Sequence, residues 1–348
     1  MSSRERFLAA CHRRPVDATP VWFMRQAGSS LPAVRAMRQH HDPQAIALTP
    51  ELAAAAAAAP VEALGVDAAV LFADVMLPLG PMGVALALTD SGPRIERPLR
   101  SAADVARLRP IEPEEDLGPV LAGARLLRDQ LGDDTAVIGL AAGPFTLAAY
   151  LIEGGPSRDF PLARAFLHAQ PAAWARLMGL LSDVVRSYLL AQAAAGVDAV
   201  QLFDSWAGAL APADYVAHVA PYTRRVLAGL PLPTVHFVAG APNLLEAMAT
   251  AGGDVIGLDW RVGLGEAWER LGSGIALQGN LDPARVLAGW GPAAQGARAI
   301  LAEVAGRLGH VFNLGHAVAP GSDPGVLRDL VTLVHEASRA ARPGREAA

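Results

Sequence analysis

The chain has 348 residues, of which 52% are apolar and only 18% charged, and its net charge at pH 7 is −5. That balance supports a large buried core and argues against disorder, and the absence of a basic tract argues against nucleic acid as the main partner. No apolar stretch reaches the ~20 uncharged residues of a membrane span, and the start MSSRERFLAACHRRP lacks a signal-like apolar region, so a cytoplasmic protein is expected. Two absences exclude chemistry. The only cysteine is Cys11, which rules out disulfide scaffolds and cysteine-ligated clusters. Every basic side chain is arginine, and without lysine neither Schiff-base aldolase nor pyridoxal chemistry can be assembled.

Taken in chain order, short β-rich apolar runs predict strands at Val21–Met24, Ala69–Phe72, Ala136–Leu140 and Ala199–Phe203. Four more follow at Thr234–Val238, Val255–Leu258, Ile275–Gln278 and His310–Asn313. The intervening stretches are long enough for a helix each. Thr49-Pro50-Glu51 opens one such helix, and even the shortest connections keep helical patterns at Asn243–Thr250 and Leu264–Leu271. Eight alternations of strand and helix predict an α/β fold, a single (β/α)8 TIM-type barrel. Val84–Leu88, the turn Asp90-Ser91-Gly92 and Arg94–Arg97 read as an inserted β-hairpin. The whole of 1–348 is expected to form one domain, with its core at 20–336 and a loose tail at 337–348.

Barrel enzymes build their sites where the strands end, so the residues that follow each run are the candidates. Arg25 follows the first run and opens a turn closed by Gly28, with Arg35 and Arg38 beyond it, a grouping suited to a carboxylate or phosphate. Arg35 and Arg38 equally suit a solvated helix face. Asp74 ends the second run, where a carboxylate needs partners, either loop amides, an arginine or the N–H groups of a ligand. Tyr150 lies six residues past Pro144, one to two turns into a helix, with its hydroxyl able to face the rim or to be satisfied in the core. Asp204 and Ser205 follow the fourth run, Asp259 the sixth, Gly279-Asn280 the seventh, and Gly315-His316 the eighth. The last two glycine turns are also compatible with a phosphate cup. His316 has no histidine or cysteine partner at metal spacing, so no metal site is expected.

The segments MRQAG, LFAD, GPFTL with YLIEGG, QLFDSWAG, GLDW, LQGNLDP and FNLGH, in that order, resemble the uroporphyrinogen decarboxylase family across residues 20–324. The resemblance implies a cofactor-free barrel, usually a homodimer, that removes carbon dioxide from the four acetate arms of a tetrapyrrole, uroporphyrinogen III. It makes Arg25, Asp74 and Tyr150 the catalytic candidates. The substrate-binding set is Arg25, Gln26, Ala27, Gly28, Ser29, Arg38, Asp74, Tyr150, Ser205 and His316. By the same resemblance Asp74 faces the pyrrole N–H groups, and Arg25 lies nearest the reacting acetate. The family pattern is broken at Ser29 and Ser30, where it carries an arginine and a tyrosine, at Trp206 for a histidine, and at Ala317 for a glycine. Losing one charge-assisted hydrogen bond worth about 1.5–3 kcal/mol weakens transition-state binding about 10- to 100-fold, which Arg35 or Arg94 could offset. A tetrapyrrole binder with altered chemistry, or a corrinoid-dependent methyltransferase relative, are the alternatives.

Overall fold

A computed structural model describes residues 1–28, 30–89 and 92–340. Its centre is a curled, seven-stranded parallel sheet in the order β1 (Ala68–Val70), β4 (Ala136–Ala142), β5 (Ala199–Phe203), β6 (Thr234–Phe237), β7 (Val255–Gly257), β8 (Ala276–Gln278) and β9 (His310–Val311). Each strand pairs only with its neighbours in that order, in parallel register from Ala68 opposite Ala136 to Gln278 opposite Val311. The β4 strand is buried at all seven positions and β5 at four of five, as expected of strands covered on both faces. Two further strands, β2 (Leu86–Thr89) and β3 (Gly92–Ile95), pair antiparallel outside this sheet. The Asp90-Ser91 turn predicted between them lies outside the described residues.

The strand expected at Val21–Met24 is the one real departure, because only Val21 forms a parallel bridge, to Phe312. The reason is local. Trp22 N donates to Phe312 O and Phe312 N to Pro20 O, but by Met24 the chain has turned and its N–H meets the Asn313 side chain instead. On the other side, Asp67 N donates to Val21 O at 2.8 Å, so this short segment touches both ends of the sheet order. Helices fill the connections. Pro50–Leu64 starts at Thr49 as predicted, and Leu264–Leu271 has its expected bounds. The last helix, Pro324–Ala340, runs past residue 336, so the first residues of the expected tail are helical.

A recurrent device sets the N-terminal edge of the sheet. Asp67, Asp198 and Asp254 each stand just before a strand and accept an amide at the start of the neighbouring segment. Asp67 takes Val21 N at 2.7 Å, Asp198 takes Val137 N at 2.8 Å, and Asp254 takes Thr234 N at 2.8 Å. Arg6 neutralises Asp67, which also meets the His335 ring at 2.8 Å, and Arg4 and Arg128 neutralise Asp198. Buried carboxylates need such partners, and here they fix strand register at the edge opposite the candidate site.

Candidate active site

Because all seven strands are parallel, their C-terminal ends share one edge, and Asp74, Ser205 and His316 lie in the loops after β1, β5 and β9. Arg25 sits in a tight turn with φ +57°, the left-handed region that residues other than glycine rarely adopt. The turn closes through Gln26 N to Phe23 O, and a Cβ on Gly28 would lie 2.9 Å from Arg25 O, so only glycine fits there. The Arg25 side chain is exposed and makes no ion pair or hydrogen bond among the described residues.

Gln26 does something else. It is 1% exposed, its Nε2 donates to Ala68 O at 2.8 Å, and its Oε1 accepts from Phe23 N at 3.0 Å. Both ends of the amide are taken up in fixing the turn against β1, so its part in binding is indirect. Ala27 and Gly28 are half-buried beside it, and Ser29 lies outside the described residues. Ser30 is buried with its hydroxyl unpartnered, while its carbonyl accepts from Arg35 Nη1 at 2.9 Å. Arg38 is exposed at the end of the helix Pro32–Arg38, and Arg94 is exposed on β3.

Asp74 is half-buried in the loop after β1. Its Oδ1 accepts from Met76 N at 2.8 Å, which fixes the carboxylate and leaves Oδ2 for another donor. Tyr150, 9% exposed, comes from the helix Pro144–Glu153 and meets the Trp206 ring edge-on at 6.0 Å. Burial raises its pKa, the neighbouring Trp206 indole opposes that, and beyond these Asp74 raises it and Arg25 lowers it. The hydroxyl therefore stays protonated and lies within electrostatic reach of both ions. His316 follows β9 and is exposed to solvent, with its ring 6.3 Å from Phe237. Burial lowers its pKa, Arg25 and Arg261 lower it further, and Asp259 opposes them, so the ring is neutral at pH 7. Arg25, Asp74, Tyr150 and His316 thus form one electrostatically linked group. Ser205 is half-buried in the loop after β5.

Asp204, one residue earlier, has a different place. It is fully buried, and its Oδ1 accepts from both Thr146 N and Thr146 Oγ1 at 3.0 Å, at the start of the Tyr150 helix. Its Oδ2 has no partner, and burial pushes its carboxyl up to about 6. It anchors the helix and does not face the rim.

Sequence reasoning missed Arg261. Its Nη1 pairs with Asp259 Oδ2 at 2.7 Å while its guanidinium lies 4.2 Å from the centre of the Trp260 ring. A Cβ on Gly315 would lie 2.5 Å from Trp260 N, so the turn carrying His316 is pressed directly against this loop. The signal was present, since GLDW runs straight into an arginine two residues past a strand-end aspartate.

The model of the family described as uroporphyrinogen decarboxylase matches residues 2–337. A protein of that name from Sorangium cellulosum is 48% identical over 344 residues, covering 98% of each chain. One from Mycobacterium tuberculosis is 49% identical over 346 residues, covering 94% of this chain and 96% of its own. Among solved structures, a methyltransferase from Methanosarcina mazei superposes with a TM-score of 0.81 at 20% identity, covering 97% of this chain and 99% of its own, a likeness of fold alone. With nearly its whole length matched and nearly half its residues shared, the chain belongs to the uroporphyrinogen decarboxylase family.

Proposed function

We propose that the protein decarboxylates the four acetate side chains of uroporphyrinogen III to give coproporphyrinogen III in porphyrin biosynthesis, without a cofactor. The observation that carries this reading is the unpaired Arg25 cation beside a carboxylate with a free oxygen, Asp74, flanked by neutral Tyr150 and His316. Protonating a pyrrole α-carbon turns the ring into an electron sink, so the attached acetate can release carbon dioxide. Asp74 accepts the pyrrole N–H groups and stabilises the cationic ring, where preorganised charge contributes most. Arg25 holds the reacting acetate as a planar, permanently charged guanidinium, a geometry suited to gripping a carboxylate rather than to proton donation. Tyr150, Ser205, His316 and Arg38 serve the remaining carboxylate arms, with Ala27 and Gly28 lining the turn and Gln26 fixing it.

In the same reading the chain is one (β/α)8 barrel domain in which residues 20–24 close the ring between β9 and β1, and β2–β3 is an insertion after β1. A cytoplasmic homodimer fits the tetrapyrrole chemistry. No helix among the described residues is long and apolar enough to cross a membrane. The corrinoid-methyltransferase alternative is disfavoured by Cys11, the single thiol, which is fully buried and raised well above the ordinary range by that burial.

Ser29 favours a second reading, a tetrapyrrole binder that has lost turnover, and the same assay separates the two. Uroporphyrinogen III is incubated anaerobically with the wild type and with Ser29→Arg, and the product carboxylates are counted after oxidation to porphyrins. The expected result is four-carboxylate product from the wild type, formed about 10- to 100-fold faster by Ser29→Arg if the family arginine contributes one charge-assisted hydrogen bond. Tight porphyrin binding with no carbon dioxide release by a folded wild type would select the binder.

A further inference from the structure

Two helices that supply none of the rim residues bring three metal-binding side chains together. His168 lies in the last turn of the helix Pro161–Ala169. Asp214 and His218 occupy the first turn and the end of Pro212–His218, four residues apart and so on one face. The ligand atoms of all three lie within 4.8 Å of one another. Asp214 Oδ2 is 3.7 Å from His168 Nε2, too far for a hydrogen bond, so the pair is close but not satisfied. The two imidazoles stand nearly perpendicular, at 87° with ring centres 6.2 Å apart, and neither ring makes a hydrogen bond among the described residues. We propose that His168, Asp214 and His218 bind one divalent transition-metal ion, zinc(II) foremost, with water completing the coordination on the solvent side, and that the ion clasps the two helices together.

The donor set and supports both favour this assignment. Tetrahedral zinc with bonds near 2.0–2.2 Å places its ligand atoms about 3.4 Å apart, so side-chain rotations alone complete the site. Two imidazoles and one carboxylate suit zinc, cobalt or nickel, and are poor ligands for calcium or magnesium, which need an oxygen shell. The backbones are held independently of any ion. Phe166 and Leu167 are buried beside His168, Tyr215 is fully buried between Asp214 and His218, and the His218 carbonyl accepts from Trp174 Nε1 at 3.1 Å. The clasp also reaches toward the rim. Phe160, at the start of the His168 helix, packs 5.2 Å from Trp206, whose loop leads into the Asp214 helix. An ion would close a loop around the aromatic wall beside Tyr150.

Metal-stripped full-length protein is titrated with zinc chloride by calorimetry, and with cobalt(II) for its visible d–d absorption. The expected result is one ion per chain, with intense low-coordinate cobalt bands. His168→Gln with His218→Gln should abolish both signals, and Asp214→Asn should weaken binding about 10- to 100-fold. His40→Ala with His41→Ala, altering an exposed histidine pair elsewhere, should change neither. Zinc should slow amide exchange in residues 160–169 and 206–218 of the wild type only. No saturable zinc uptake by the wild type, or uptake undiminished in the folded double-glutamine variant, overturns the site. Zinc uptake without slowed exchange overturns the clasp.

Discussion

At Asp74 the distinction between a structural and a chemical carboxylate can be measured. One oxygen holds the loop through Met76 N and the other is free, so Asp74→Asn keeps the first contact and removes only the charge. The expected outcome is an unchanged melting temperature with kcat/KM for uroporphyrinogen III lower by about 10- to 100-fold, the worth of a charge-assisted hydrogen bond. The loss should fall on kcat more than on KM, because the ring becomes cationic only on the way to the transition state. A rise in KM with kcat unchanged would assign Asp74 to substrate placement. At this scale the sequence was informative about identity and silent about partners. Asp74, Tyr150 and His316 could be picked out as polar groups after apolar runs. That Gln26 turns inward to Ala68 O, or that Arg261 reaches back to Asp259, depends on rotamers chosen by tertiary contacts, which no spacing encodes.

Elements decide between the two roles open to Asp204 as a strand-end polar group, rim ligand or helix cap. Strand periodicity says that a residue follows β5 but not which way it points, and Asp204 points sideways, into the first turn of the neighbouring Tyr150 helix. A carboxylate there satisfies the orphan Thr146 N–H and complements the helix dipole, yet its second oxygen is buried without a partner. Its folded pKa of about 6 lies above the ordinary 3.8, so the folded state binds the proton more tightly than the unfolded one. Stability therefore falls as pH rises through that window, and above pH 6 the ionised group costs on the order of 3 kcal/mol. Asp204→Asn keeps the Thr146 acceptor without the charge. It should raise the melting temperature at pH 7.5, with the gain gone near pH 4. Asp204→Ala should instead lower both melting temperature and kcat/KM, because it frees the start of the helix that carries Tyr150. A lower melting temperature for Asp204→Asn at pH 7.5 would show that the buried charge has a donor within reach. Seven of the eight expected strands were legible because they rest on apolar runs. The first run failed as a strand because Asn313 captures the Met24 amide where a ladder would have continued.

For the whole molecule, the two edges of the sheet divide stability from chemistry, and acid tests that division. His236 on β6 and His310 on β9 are fully buried, and burial lowers each to about 4 from an ordinary 6.5. Each ring faces a backbone carbonyl through one nitrogen, His236 Nδ1 at Gly252 O and His310 Nε2 at Gly279 O, and has no partner for the other. Both stay neutral when folded and take a proton when unfolded. The stability they contribute is complete above pH 6.5 and is lost as pH falls toward 4, on the order of 3 kcal/mol for each. Asp204 runs the other way between 6 and 3.8, offsetting one of the two. Lower still, Asp17, held below the ordinary carboxylate range mainly by its hydrogen bond from Arg6, begins to protonate and loosens the N-terminal edge. The wild type should therefore lose melting temperature from pH 7 to pH 4. A His236→Gln, His310→Gln double variant, though less stable at pH 7, should show a flat or rising profile over the same range because only Asp204 still titrates there. Proton NMR gives a check that does not depend on the variant folding: both ring resonances in the wild type should hold their neutral positions down to about pH 5. Rings that titrate near 6.5 in the folded protein would place the acid sensitivity elsewhere, in the carboxylates of the N-terminal edge.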